Sequence, residues 1–177
     1  MERMERAKWL EAIRVHLAMA SVGGSTLRSQ VKPGGVQAAR KFLKNFPIKN
    51  LANLNEKKFS KLLNQKTTAL SKNLLRPDNN EPNFGAARKV LNIFLRHCAM
   101  NKDLHRKFKL KAVEKFLEVP LDSYVVKGID KNFARGFKIK TLTPYCNSVL
   151  QEAAMKIARR KKLHRYELDV LFWGHDV

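Results

Sequence analysis

Acidic residues are scarce in this chain: fifteen Asp and Glu stand against thirty-six Lys and Arg, a formal net charge of +21 over 177 residues. Cysteine is scarcer still. Cys98 and Cys146 are the only two, both among apolar residues at helical spacing, which fits reduced buried thiols and excludes a disulfide-built secreted scaffold. No run approaches the ~18 to 20 apolar residues that a membrane span requires. The histidines His16, His97, His105, His164 and His175 lack metal-ligand spacing, so no metal is expected. Gly23-Gly24 and Gly34-Gly35 read as turns, because no lysine and serine or threonine follow at phosphate-loop spacing. With neither a cluster, a metal nor a nucleotide motif, no cofactor is expected.

What is present is positive charge distributed along the whole chain, in Arg40-Lys41, Lys57-Lys58, Arg88-Lys89, Arg106-Lys107 and Arg159-Arg160-Lys161-Lys162. A tail that docks on acidic lipid would concentrate such residues at one end. Spread over a folded surface, they attract a phosphate backbone and release its condensed counterions. Nucleic acid is therefore the expected partner. A hydrophobic fraction of 44% supports a core, and the length fits one domain, residues 1–177. The opening, with Arg3, Arg6, Lys8 and Arg14 among Glu2, Glu5 and Glu11, reads as an amphipathic helix rather than a signal peptide. The expectation is an intracellular protein, cytoplasmic or nucleoid-associated, with no membrane partner and no heptad seam, hence a monomer.

Periodicity predicts an all-α fold. Trp9, Ile13, Leu17 and Ala20 line one face of a first helix that Gly23-Gly24 stops. A second runs from Val36 to Phe46 before Pro47, and Asn55 caps a third with Phe59, Leu62 and Leu63 inward. The prolines and asparagines of Arg76 to Asn83 form the one clear loop. In the next helix Ala87, Leu91, Phe94, Leu95 and Cys98 make an apolar stripe, which leaves Lys89, Asn92 and Arg96 on the other face. Leu110 to Leu117 and Asp122 to Gly128 read as short helices, and Phe133 to Lys140 as a connector. The C-terminal helices occupy 141–177: Thr143-Pro144 opens a long one with Cys146, Val149, Leu150, Ala153 and Ile157 inward, and Tyr166 to Trp173 forms the last. No strand pattern stands out.

Two motifs carry chemistry. Gly85-Ala86-Ala87-Arg88-Lys89-Val90-Leu91-Asn92 starts a helix with a glycine and places a lysine on its first turns; Val119-Pro120-Leu121-Asp122-Ser123-Tyr124 opens a later one with a carboxylate. Together they resemble the signature of the helix-hairpin-helix base-excision DNA glycosylases, the superfamily of endonuclease III and the 8-oxoguanine glycosylases. The likeness covers residues 25–130. It implies that Lys89 matches the family's nucleophilic lysine, that Asp122 matches its essential aspartate, and that Gln30, in Leu27-Arg28-Ser29-Gln30, matches a glutamine that probes the duplex. The chain differs in Phe84 and Ala87, where the family has proline and a second glycine, and in an insertion over Arg96 to Leu117. Two cysteines cannot supply the four ligands of the endonuclease III iron–sulfur cluster.

The resemblance implies excision of a damaged or modified base from duplex DNA, with one nucleotide flipped into a pocket, and with or without abasic-site lyase activity through a lysine Schiff base. Cleaving an N-glycosidic bond builds positive charge on the sugar, which a fixed carboxylate stabilises. An amine attacks the anomeric carbon once burial or cationic neighbours such as Arg88 depress its pKa. Gly85, Arg88, Asn92, Arg96 and Tyr124 are the expected DNA contacts beside Gln30, and Tyr124, Phe133 or Trp173 could stack on the flipped base. Each residue also has a plainer reading. Asp122 is equally well placed as a helix N-cap, and Lys89 as a phosphate contact. A basic helical DNA- or RNA-binding protein without catalysis is the alternative. The two readings divide on whether Lys89 and Asp122 face one cleft near Gln30.

Overall fold

Capping side chains start six of the helices, Asp130 among them with Oδ1 accepting from Phe133 N (3.0 Å). Asn55 Oδ1 accepts from Lys58 N (2.9 Å), Asn83 Oδ1 from Ala86 N (2.9 Å), Asn101 Oδ1 from Leu104 N (3.0 Å), Asp122 Oδ1 from Val125 N (3.0 Å) and Thr143 Oγ1 from Cys146 N (3.1 Å). Each satisfies an amide that has no partner in its own helix. The structure is a computed structural model and describes residues 2–23, 26–27 and 29–173. Gly24, Arg28 and His175, read above from the sequence, lie outside the described residues.

The chain folds as α1 (Glu2–Ala20), α2 (Gly35–Lys44), α3 (Glu56–Ser71), α4 (Phe84–Met100), α5 (Lys102–Lys107), α6 (Ser123–Ile129), α7 (Lys131–Ala134), α8 (Pro144–Lys161) and α9 (Leu168–Phe172), with 3₁₀ segments between α2 and α3, α5 and α6, α7 and α8, and α8 and α9. It is all-α and one domain. The sole β pairing among the described residues is an isolated bridge, Leu75 to Pro82, which closes the loop before α4. No helix among the described residues is long and apolar enough to cross a membrane.

Two hydrophobic cores lie along the chain. The first gathers α1 to α4 and the segment to Leu117, around Leu43, Leu70, Leu91 and Phe94; the second gathers Val119 to Leu168, around Val125, Val126, Leu150 and Ala154. Glu118 stands at the seam between them. Helix α4 is the spine. Gly85 to Arg88, Val90 to Asn92, Phe94, Leu95, Cys98 and Ala99 are all buried, so the helix is enclosed on nearly every side rather than on one stripe. Gly85 lies so close to the 137–142 strap that a Cβ there would sit 1.9 Å from Ile139 O. That glycine is required by packing.

The one-face expectations fail where they assumed amphipathic surface helices. Trp9, at 54% exposure, and Ala20 are exposed, and α1 buries Ala18 instead, with Ile13 and Leu17 half-buried. Val149 is exposed too, because α8 turns Asn147, Leu150, Gln151, Ala154 and Ala158 inward. Leu110 to Leu117 is two 3₁₀ turns rather than a helix, and α5 precedes it. Cys98 is buried, which pushes its thiol up, whereas Cys146 is only half-buried.

Candidate active site

Lys89 lies on the second turn of α4 and Asp122 caps α6, and the fold brings them together. Lys89 Nζ stands 3.6 Å from Asp122 Oδ2, with the lysine side chain 12% exposed and the aspartate 9%. Burial pushes the Lys89 ammonium below its usual value of 10.5, and the attraction of Asp122 offsets this only in part. Burial is thus the cause of the depressed lysine; Arg88, expected to contribute, is turned away. Asp122 Oδ1 accepts the Val125 amide as an N-cap, and Oδ2 faces Lys89 and accepts the indole N–H of Trp173 at 2.9 Å.

A cavity of about 550 Å³ opens beside this pair, walled by Ser29, Gln30, Tyr124, Phe137, Lys138 and Trp173. A second, of about 430 Å³, continues on the far side of Trp173 and includes Ile93, Arg96, His97 and Asp169. Lys89, Asp122, Thr26 and Trp173 line both. The Tyr124 and Trp173 rings lie 5.3 Å apart at 50° and are 55% and 56% exposed, so they present an aromatic wall at the mouth. Gln30 does line the cavity. Its Oε1 is buried without a hydrogen-bond partner among the described residues, while its backbone carbonyl accepts from Asn83 Nδ2 at 2.8 Å. Lys140 reaches out of the wall to Asp78, 2.7 Å away, tying the rim to the loop before α4.

Three of the expected DNA contacts do not reach this cleft. Arg88 is 4% exposed, and its Nε and Nη2 donate to Glu118 at 2.8 and 2.7 Å while Nη1 donates to Asn64 and Thr67. Asn92, one turn on, donates to the same carboxylate at 3.1 Å. Gly85 is buried under Ile139. The helical stripe missed this because an arginine and an asparagine were read as solvent groups, whereas they face a buried carboxylate. Arg96 does line the second cavity, but its guanidinium is paired with Asp169 and donates to His97 Nε2 at 3.0 Å. Because arginine can only donate, His97 carries its proton on Nδ1 and donates it to Ser21 Oγ (3.0 Å), which donates to Leu17 O (2.6 Å). Burial, then Arg96, pulls His97 down to about 4, so it is neutral near pH 7.

Two side chains that shape the neighbourhood of the site escaped the motifs. Glu118 was not singled out, although it is one of the fifteen carboxylates and stands in an otherwise apolar run before Val119-Pro120. Burial pushes it up, but Arg88, Arg165 and the Asn92 amide outweigh that and hold it low. Trp173 was one of three stacking candidates, and its hydrogen bond to Asp122 had no signal in the sequence. Phe133 pairs with Phe137 behind the wall. Among the described residues no group of three or more His, Cys, Asp and Glu side chains could hold a metal ion. Chemically, the arrangement offers an amine, a carboxylate and a half-open aromatic-walled chamber in a strongly cationic protein. No family model matches the chain, and neither does any curated protein or solved structure.

Proposed function

We propose that the protein is a DNA glycosylase of the helix-hairpin-helix kind, excising a base from a nucleotide flipped into the Lys89–Asp122 cavity. One observation carries the reading: a lysine whose ammonium is pushed below its usual value by burial lies 3.6 Å from a carboxylate, and Gln30 walls the same cavity. The neutral Lys89 amine attacks C1′ of the flipped nucleotide and forms an N–C bond as the bond to the base breaks. The amine sheds a proton and the departing base acquires one. Asp122 stabilises the positive charge that builds on the sugar. Opening of the sugar then leaves a Schiff base on Lys89, from which β-elimination of the 3′ phosphate would cut the strand. Tyr124 and Trp173 supply an aromatic wall for the base, and the net charge of +21 supplies affinity for the backbone.

Borohydride trapping on a duplex with one abasic site tests this. Wild type should give a covalent adduct that Lys89→Ala abolishes. If wild type gives no adduct and releases no base from any modified duplex, and binding falls steeply with salt without preference for a lesion, the chain is instead a non-catalytic binder of nucleic-acid backbones. The capping role of Asp122 favours that second reading, since a helix cap needs no catalytic reason to be there.

A further inference from the structure

The Lys89–Asp122 contact is loose for a pair so enclosed. At 3.6 Å it exceeds hydrogen-bond distance, whereas Arg88 and Glu118 close to 2.7 Å one residue away. Asp122 Oδ1 is committed to the Val125 amide, and Oδ2 already accepts from Trp173 Nε1 at 2.9 Å. Trp173 is in turn held by the Tyr124 ring, and its backbone N–H donates to Asp169 O (2.9 Å) at the end of α9. The indole therefore competes with the ammonium for one oxygen.

We propose that Trp173 is a positioning residue that holds Lys89 and Asp122 apart by taking, through its indole N–H, one of the two acceptor positions on the carboxylate oxygen that the lysine faces. This rests on the reading of Lys89 as a nucleophile and specifies how the fold keeps it reactive. A lysine locked to its carboxylate would remain an ammonium, which cannot attack. With Oδ2 shared, desolvation prevails and the amine is released at lower pH. On α4, Arg96 is paired with Asp169 of α9 and also feels the Asp122 charge, and His97 is neutral; Lys138 and Lys140 of the strap and Tyr124 of α6 share the Lys89 cavity wall. Among the described residues lining either cavity, Asp169 is the one other carboxylate, and Arg96 already neutralises it.

The test is the titration of Lys89 by ¹³Cε and ¹⁵Nζ NMR on the full chain, its signal assigned by loss in Lys89→Arg. Trp173→Phe keeps an aromatic ring but has no N–H, and it should raise the Lys89 midpoint by about one pH unit. Trp173→Leu should raise it at least as far. The pH profile of abasic-site trapping should move upward with it. An unchanged midpoint in Trp173→Phe overturns the proposal. So does a shift seen only in Trp173→Leu, which would make water exclusion by the ring the cause. A shifted midpoint with no adduct at any pH would uphold the positioning role and defeat the glycosylase reading, so the two fail separately. Trp173 is half-exposed, so both variants are expected to fold, and the Trp9 indole gives an independent check.

Discussion

Arg88 and Lys89 are neighbours in the chain, both basic, both on α4 and both facing a buried carboxylate, yet they belong to different kinds of site. Arg88 meets Glu118 through two parallel hydrogen bonds, with Asn64 and Thr67 taking its third nitrogen and Asn92 and Asn147 filling the carboxylate. Arg165 closes the same seam by donating to the carbonyls of Leu117 and Phe116 at 3.1 and 2.9 Å. Lys89 meets Asp122 at one longer contact. Both pairs are buried and both border a cavity; saturation is what differs. A pair with four of its five guanidinium N–H groups engaged fixes the fold, and a pair with capacity left over can act on something else.

The sharpest way to break this contrast is to remove one partner from each pair. Glu118→Ala should lower stability by ~3 to 5 kcal/mol, a fall of about 10 °C or more in Tm, because it leaves a guanidinium buried and unpaired. Lys89→Ala should leave Tm within about 3 °C and abolish adduct formation. Differential scanning calorimetry beside trapping on one protein preparation reads both. Equal Tm losses would mean that the two pairs are both structural.

Asp122→Asn comes next. It should slow base release by roughly a hundredfold, as expected for a positioned charge removed from a developing cation. It should also shift the pH profile. Desolvation already lowers Lys89, and Asp122 is what raises it, so removing the charge lets Lys89 fall further. The midpoint of trapping against pH should therefore move down, opposite in sign to Trp173→Phe. Upward movement would mean that Lys89 is not the group that titrates.

The smallest expected effect is at Gly85. A Cβ there meets Ile139 O at 1.9 Å, so Gly85→Ala must push the strap outward, at ~1 to 3 kcal/mol. Lys138 and Lys140 ride on that strap and wall the cavity, so DNA affinity should drop a few-fold with it. A urea midpoint equal to that of wild type would show that helix and strap tolerate separation.

Most helices were legible because capping residues and apolar spacing are local signals; the Lys89–Asp122 juxtaposition was not, since the two motifs name the residues but leave open whether they face one cleft. The course of α4 was not. A helix enclosed by two cores has no polar face to find, and Arg88 and Asn92 look like solvent residues until Glu118 is placed beside them across thirty residues of chain. Lys89 was named by resemblance, but the cause of its lowered pKa was not, since desolvation is a property of packing and Arg88 points elsewhere. Trp9 and Val149 were read inward because they are large and apolar and fall at helical spacing; nothing in that spacing says which face a neighbour covers. Gln30, Tyr124 and Trp173 line one cavity although they stand 49 to 143 positions apart in sequence, beyond any motif's reach.

The spine helix has a consequence for how this chain can vary. On most enzymes the reactive side chains sit on loops that drift while the scaffold stays put. Here the lysine proposed as nucleophile and the buried arginine occupy consecutive positions on one rod, so a shift of register or tilt that suits one displaces the other. The two cannot be revised separately. Lys138, Lys140 and Tyr124 wall the cavity from outside that rod, so changes there alter the rim without moving either pair.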